Sequence, residues 1–189
     1  MKWNKIRNQI ILAVVLCFSL IAANPTHAAE KKLSLTVYSQ DKSNWCWAAA
    51  GQSVIRYVKG TVKTQCQLYM WGKGYSSCST NETGSISTQF SNMFKEMNFN
   101  YTGDVISSAS TFSGVISQIN LGRPMIARMG WTSGGGHFAV IYGYDDGSTD
   151  YINWTDINYG GTSYYKKTTY SYFKSNSSWD WTHTRYNIY

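Results

Sequence analysis

The chain has 189 residues and a formal net charge of +7, but its lysines and arginines are scattered. Only Lys31-Lys32 and Lys166-Lys167 are adjacent, and a dispersed charge of this kind excludes a nucleic-acid-binding face, which needs basic residues clustered on one side. Beyond the first thirty residues no stretch is long and apolar enough to cross a membrane.

The N-terminus reads as a secretory signal peptide. Lys2, Lys5 and Arg7 make a basic start, Ile10 to Ala23 is an unbroken run of apolar or small residues, and small residues follow near Ala28 and Ala29. Cleavage is expected after Ala28 or Ala29, leaving residues 29–189 as a single exported domain, free of a membrane anchor. Cys17 leaves with the signal, and Leu16 before it argues against a lipoprotein site. Nothing between Glu30 and Gln40 is expected to fold as a pro-segment.

Ser43 or Asn44 is expected to cap a helix from about Trp45 to Val58, with Ala49, Val54, Ile55 and Val58 as its apolar stripe. Cys46 then falls in the first turn, where free N–H groups and the helix dipole favour negative charge. The remaining cysteines, Cys66 and Cys78, flank a short polar, glycine-containing segment that can loop back on itself. Their pairing as a disulfide leaves Cys46 as the free thiol. A zinc site is not expected from these spacings.

Ile86, Phe90, Met93, Phe94 and Met97 predict a second helix stopping at Asn98. Phe112, Val115, Ile116 and Ile119 predict a third, from about Thr111 to Leu121. From Pro124 the period becomes that of strands: PMIARMG, HFAVIYGY, DYINW, TSYYKKTTY and WTHTRYNIY, with turn residues between them. The expected class is α+β, helices first and then an antiparallel sheet. Asp145-Asp146-Gly147 lacks the further ligands of a calcium loop and reads as a turn.

His137 follows three glycines and opens an apolar strand, so it stands at the rim of the sheet. A thiol at a helix start beside an imidazole is the arrangement that makes a thiolate nucleophile. Two further parts are needed: a group that orients the imidazole and a donor for the oxyanion. Gln40 offers an amide six residues before Cys46. For the orienting group, Asn153 on the next strand and Asp156 in the turn after it both remain open. His183, within an aromatic terminal strand, reads as structural.

Gln40, the Cys46-Trp47-Ala48 run, Gly136-His137 before an apolar strand and then Asn153, in that order, resemble the papain-like cysteine proteases. The Cys-to-His separation is well short of the papain type. The similarity is closer to compact bacterial members: plant-pathogen effector proteases, bacteriocin-processing peptidases and staphopains. The first of these share NWCWAA and GGHF-like segments, and Gly122-Arg123-Pro124 resembles a recurring segment of compact peptidases. The absence of a proline after Asn153 is a departure from them.

The resemblance implies a papain-like fold, Cys46 as nucleophile, His137 as general base, Asn153 as its orienting residue and Gln40 in the oxyanion hole. It implies no cofactor, a protein or peptide substrate, a monomer, and control by export, by a separate inhibitor protein or by oxidation of Cys46. Two other readings remain at this point: an amidase of peptidoglycan cross-peptides, and a non-catalytic, aromatic-rich surface- or carbohydrate-binding module with Cys46 buried in its core.

Overall fold

A computed structural model describes residues 29–189, and the expected signal peptide lies outside the described residues. Strand β1 (Ala29–Lys32) precedes three helices, α1 (Cys46–Lys59), α2 (Gln65–Lys73) and α3 (Thr88–Glu96). Then come β2 (Asp104–Ile106), α4 (Phe112–Asn120), β3 (Met125–Trp131), β4 (His137–Asp146), β5 (Asp150–Asp156), β6 (Tyr164–Thr169), α5 (Tyr170–Lys174) and β7 (Trp179–Tyr186). The protein is therefore α+β, with N-terminal helices packed on a seven-stranded antiparallel sheet, as in a papain-like fold.

The sheet runs β2-β7-β3-β4-β5-β6, and β1 adds to β4 beyond the point where β3 leaves it. Helix α1 packs on β4. It can do so closely because Ala48, Ala49, Ala50 and Gly51 are small, and all four are buried. Trp47 is fully buried between Gly72 and Gly84, where a Cβ would stand 2.6 Å and 2.5 Å from its indole. Phe90 of α3 meets Phe138 of β4 edge-on, which joins the helical layer to the sheet at the strand's start.

Across the layers Arg185 of β7 reaches the start of α3. Its guanidinium donates to the carbonyls of Ile86, Ser87 and Thr102 and to Ser91 Oγ, and burial pushes its pKa down to about 10. Four acceptors around one buried cation satisfy it where water is excluded.

The structure corrects the helix start. Trp45 occupies the N-cap position of α1 and no side chain caps it, because Ser43 and Asn44 are both turned to Asn81. It also shows that the segment between Cys66 and Cys78 is largely helix α2, capped by Thr64 Oγ1, which accepts from the Gln67 N–H. The disulfide itself is present. Asn98, with a φ of 52°, marks the left-handed turn after α3, where an asparagine is tolerated.

Candidate active site

Cys46 is the first residue of α1 and the free cysteine among the described residues. Since Ser43 and Asn44 are occupied by Asn81, the N–H groups of the first turn have no side-chain acceptor. Cys46 shares a hollow with Phe138 of β4. Burial pushes the thiol above its ordinary pKa, while the backbone of Phe138, Trp47 and Cys46 and the positive charge of Arg128 act in the opposite direction.

His137 is the first residue of β4, reached through Gly134, Gly135 and Gly136, and its ring stacks on Trp131 with centroids 5.9 Å apart. Burial pushes the imidazole below its ordinary pKa, opposed by the charge of Asp156 and by the Ile157 carbonyl, which accepts from the ring. These directions favour a neutral thiol and a neutral imidazole in the ligand-free site.

The two side chains open onto different hollows. Cys46 opens on one of about 180 Å³ lined by Asn44, Thr83, Gly84, Arg128, Gly135, Gly136 and Phe138. His137 opens on an aromatic one lined by Trp131, Trp154, Trp179, Tyr172 and Asp156, among others.

Gln40 is buried ahead of α1, and its Nε2 donates to the carbonyls of Lys42 at 3.0 Å and Ser43 at 2.6 Å. Its own N–H donates to Asn158 O at 3.0 Å, and Ser39 Oγ donates to Gly161 O. The approach to Cys46 is thereby tied to the loop that follows Asp156. From the helical side Gln65 holds the same approach, accepting from the Asp41 N–H and donating to Ser39 O and Gln52 Oε1. Lys42 Nζ reaches across to the carbonyls of Cys78, Ser79 and Thr80, so the disulfide-closed loop braces the wall carrying Thr83 and Gly84.

The residues read from the sequence separate into two groups. His137 and Asp156 line one hollow, Cys46 lines the other beside Phe138, and Gln40 holds the turn that leads into Cys46. Asn153 does not join them: it is buried on β5 opposite Gly143, and its Nδ2 has no partner among the described residues. Gly143 is six residues along β4 from His137, roughly 20 Å at the rise of a strand. His183 lies on β7 opposite Arg128, with Nδ1 3.0 Å from Thr182 Oγ1, outside both hollows. Arg128, Gln52 and Gln65 were not evident as site residues. An arginine within an apolar strand was the visible sign of the first, and the two glutamines carry no motif.

Comparison with known families gives a match to the family of the papain-like cysteine protease AvrRpt2, over residues 27–177. No curated protein matches the chain.

Proposed function

The chain belongs to the papain-like cysteine protease AvrRpt2 family, a cysteine peptidase acting on protein substrates, and from that premise we propose that it is an exported endopeptidase working through Cys46 and His137. His137 takes the Cys46 proton as the sulfur attacks the scissile carbonyl. The resulting imidazolium gives that proton to the leaving amine, and a thioester to Cys46 remains. Water then attacks the thioester with His137 again as base, releasing the acid and restoring the thiol.

The observation that carries this reading is that Cys46 shares a hollow with Phe138, the residue next to His137, so the start of α1 and the start of β4 bring thiol and imidazole into one neighbourhood. In this proposal Asp156 orients the imidazole, supported by its charge acting on His137 and by their shared hollow. Asn153 has no comparable support. The N–H groups of Cys46 and Trp47 stabilise the oxyanion, with Gln40 as third donor once one of its amide hydrogens leaves the turn carbonyls. Export is supported by the basic, apolar and small-residue order of residues 1–28 and by the Cys66–Cys78 disulfide, a bond that persists in oxidising compartments.

The test is covalent labelling with an epoxide inhibitor of papain-type enzymes after mild reduction, read by mass spectrometry, alongside hydrolysis of a denatured protein. Cys46 should carry the label, and Cys46→Ala should lose both label and hydrolysis. A wild-type protein that is cleanly reduced yet unlabelled at Cys46 would falsify the reading.

A further inference from the structure

The hollow at Cys46 contains a cation, Arg128, that no carboxylate among the described residues pairs with. Arg128 lies on β3, where the pairing with β7 shifts register between Arg128 and Met129. The irregularity re-aims side chains locally, as bulges beside binding sites do. Thr182 of β7 takes hold of the guanidinium: Nη1 donates to Thr182 Oγ1 at 3.0 Å, and that hydroxyl donates to the Arg128 carbonyl at 3.1 Å. Nη2 donates to Gly135 O at 3.1 Å.

Gly136 makes room for the same group. A Cβ there would stand 2.8 Å from Nη2 and 2.9 Å from Cζ, so any other residue would displace the guanidinium from the wall. None of the ion pairs among the described residues includes Arg128. The contrast with Arg185 is chemical. Arg185 is enclosed by four acceptors that exhaust its environment, whereas Arg128 is half-buried, held by two, and lines an open hollow with the nucleophile.

A guanidinium presents five N–H donors in a planar fork, and two of them are used here. A carboxylate is the group whose geometry and charge match what is left. In a partly enclosed hollow the attraction is also screened less than on an open surface.

Resting on the peptidase reading, we propose that Arg128 is a specificity residue that receives an aspartate or glutamate side chain of the substrate close to the scissile bond. The acidic side chain enters the hollow lined by Asn44, Thr83, Gly84 and Gly136 and pairs with the guanidinium, and this contact positions the neighbouring peptide carbonyl over Cys46. Arg128 also favours the thiolate, as the direction of its effect on Cys46 indicates, so one cation serves both partners of the reaction.

The experiment is a position-scanning set of fluorogenic peptides carrying Asp against Asn, and Glu against Gln, at each position flanking the cleaved bond. It is run with the full chain and with Arg128→Gln, Arg128→Lys and Arg128→Glu. The reading is the ratio of kcat/KM for the acid to that for its amide, because loss of the Gly135 contact can slow all substrates alike without moving the ratio. At one position the wild type should favour the acid by about tenfold or more. Arg128→Gln should bring that ratio near one, Arg128→Lys should keep part of it, and Arg128→Glu should reverse it, favouring the amide over the acid at that position. A wild-type ratio near one at every position, or a preference that Arg128→Gln leaves intact, overturns the proposal. Epoxide labelling of Cys46 in the same preparation separates two failures. Labelling and cleavage without acid preference remove only the role of Arg128, whereas no labelling and no cleavage remove the peptidase reading and this proposal with it.

Discussion

The ammonium of Lys42 donates to the carbonyl of Cys78 at 2.6 Å, and by that contact the disulfide-closed loop holds the turn that presents Cys46. The Lys42 side chain also lies over the Trp45 ring, 4.6 Å from its centroid, so the attachment is packed as well as hydrogen-bonded. Opening the Cys66–Cys78 loop should therefore affect chemistry as well as stability. The double change Cys66→Ser, Cys78→Ser is expected to lower unfolding free energy by about 3 kcal/mol for a loop of this length. It should also reduce kcat/KM under conditions where the protein is still folded. Urea unfolding and peptide hydrolysis check the two effects separately.

Gln40 gives a prediction about the oxyanion. Its Nε2 now bridges the carbonyls of Lys42 and Ser43. Gln40→Ala is expected to lower kcat by on the order of 10²-fold, the loss typical of one oxyanion donor. Gln40→Glu keeps the volume but not the donor and should lose activity comparably. A Gln40→Ala enzyme with unaltered kcat would confine this residue to the turn.

Asp156 and Asn153 separate under mutation. Asp156→Ala should cost on the order of 10²-fold in kcat/KM, and Asn153→Ala should cost far less. Asp156 holds the imidazole pKa up against burial, so removing it lets that pKa fall further. The acid limb of the kcat/KM profile, which reports protonation of the base, should therefore move to lower pH in Asp156→Asn and stay put in Asn153→Asp. A limb that moves upward in Asp156→Asn rules out this electrostatic role.

His137 also links stability to acid. Its folded pKa lies below the ordinary value of 6.5 because the ring is buried. As pH falls through about 6.5, the unfolded chain takes up a proton that the folded site refuses. Stability should therefore be lost on acidification through that value, with the penalty complete below the folded pKa. His137→Gln should flatten this part of the profile, as measured by the urea midpoint between pH 7.5 and 5. A wild-type midpoint that rises over the same interval contradicts the assignment.

Much of the fold was legible because its signals are periodic. Helices α1, α3 and α4 announce themselves by apolar stripes, and β3 to β7 by alternation between turn residues. Helix α2 escaped because Gly72, Gly74 and the serines that follow look like a loop, although Thr64 and Gly74 are a regular cap at each end. Strands β1 and β2 are short and partly polar, and only their partners β4 and β7 define them.

In the proposed site, Gln40, Cys46 and His137 come from local motifs of the sequence, whereas the choice of orienting residue depends on strand register. The hairpin closes with Asp146 opposite Asp150, so position 153 faces 143, and an irregularity between Ile141 and Gly143 shifts the count further. Only a residue well beyond Asn153 can reach the start of β4, and Asp156 shares a hollow with His137. Arg128 showed only as an arginine within an apolar strand, because what holds its side chain comes from Thr182 of β7 and from the glycine loop before β4.

The bare start of α1 has a consequence for anyone wishing to make this protein more durable. Ser43 and Asn44, two good capping types, are engaged by Asn81, and Trp45 takes the capping position without a side-chain bond. A capping residue there ordinarily contributes about 1 kcal/mol, but Trp45 is fully buried and stacks on Tyr69 with ring centroids 4.6 Å apart. Trp45→Ser would lose about 3–5 kcal/mol of packing for that gain. Helix-cap engineering, a usual route to heat tolerance, is therefore closed at this end of α1, because the tryptophan that occupies the cap is too deeply packed to give up its place.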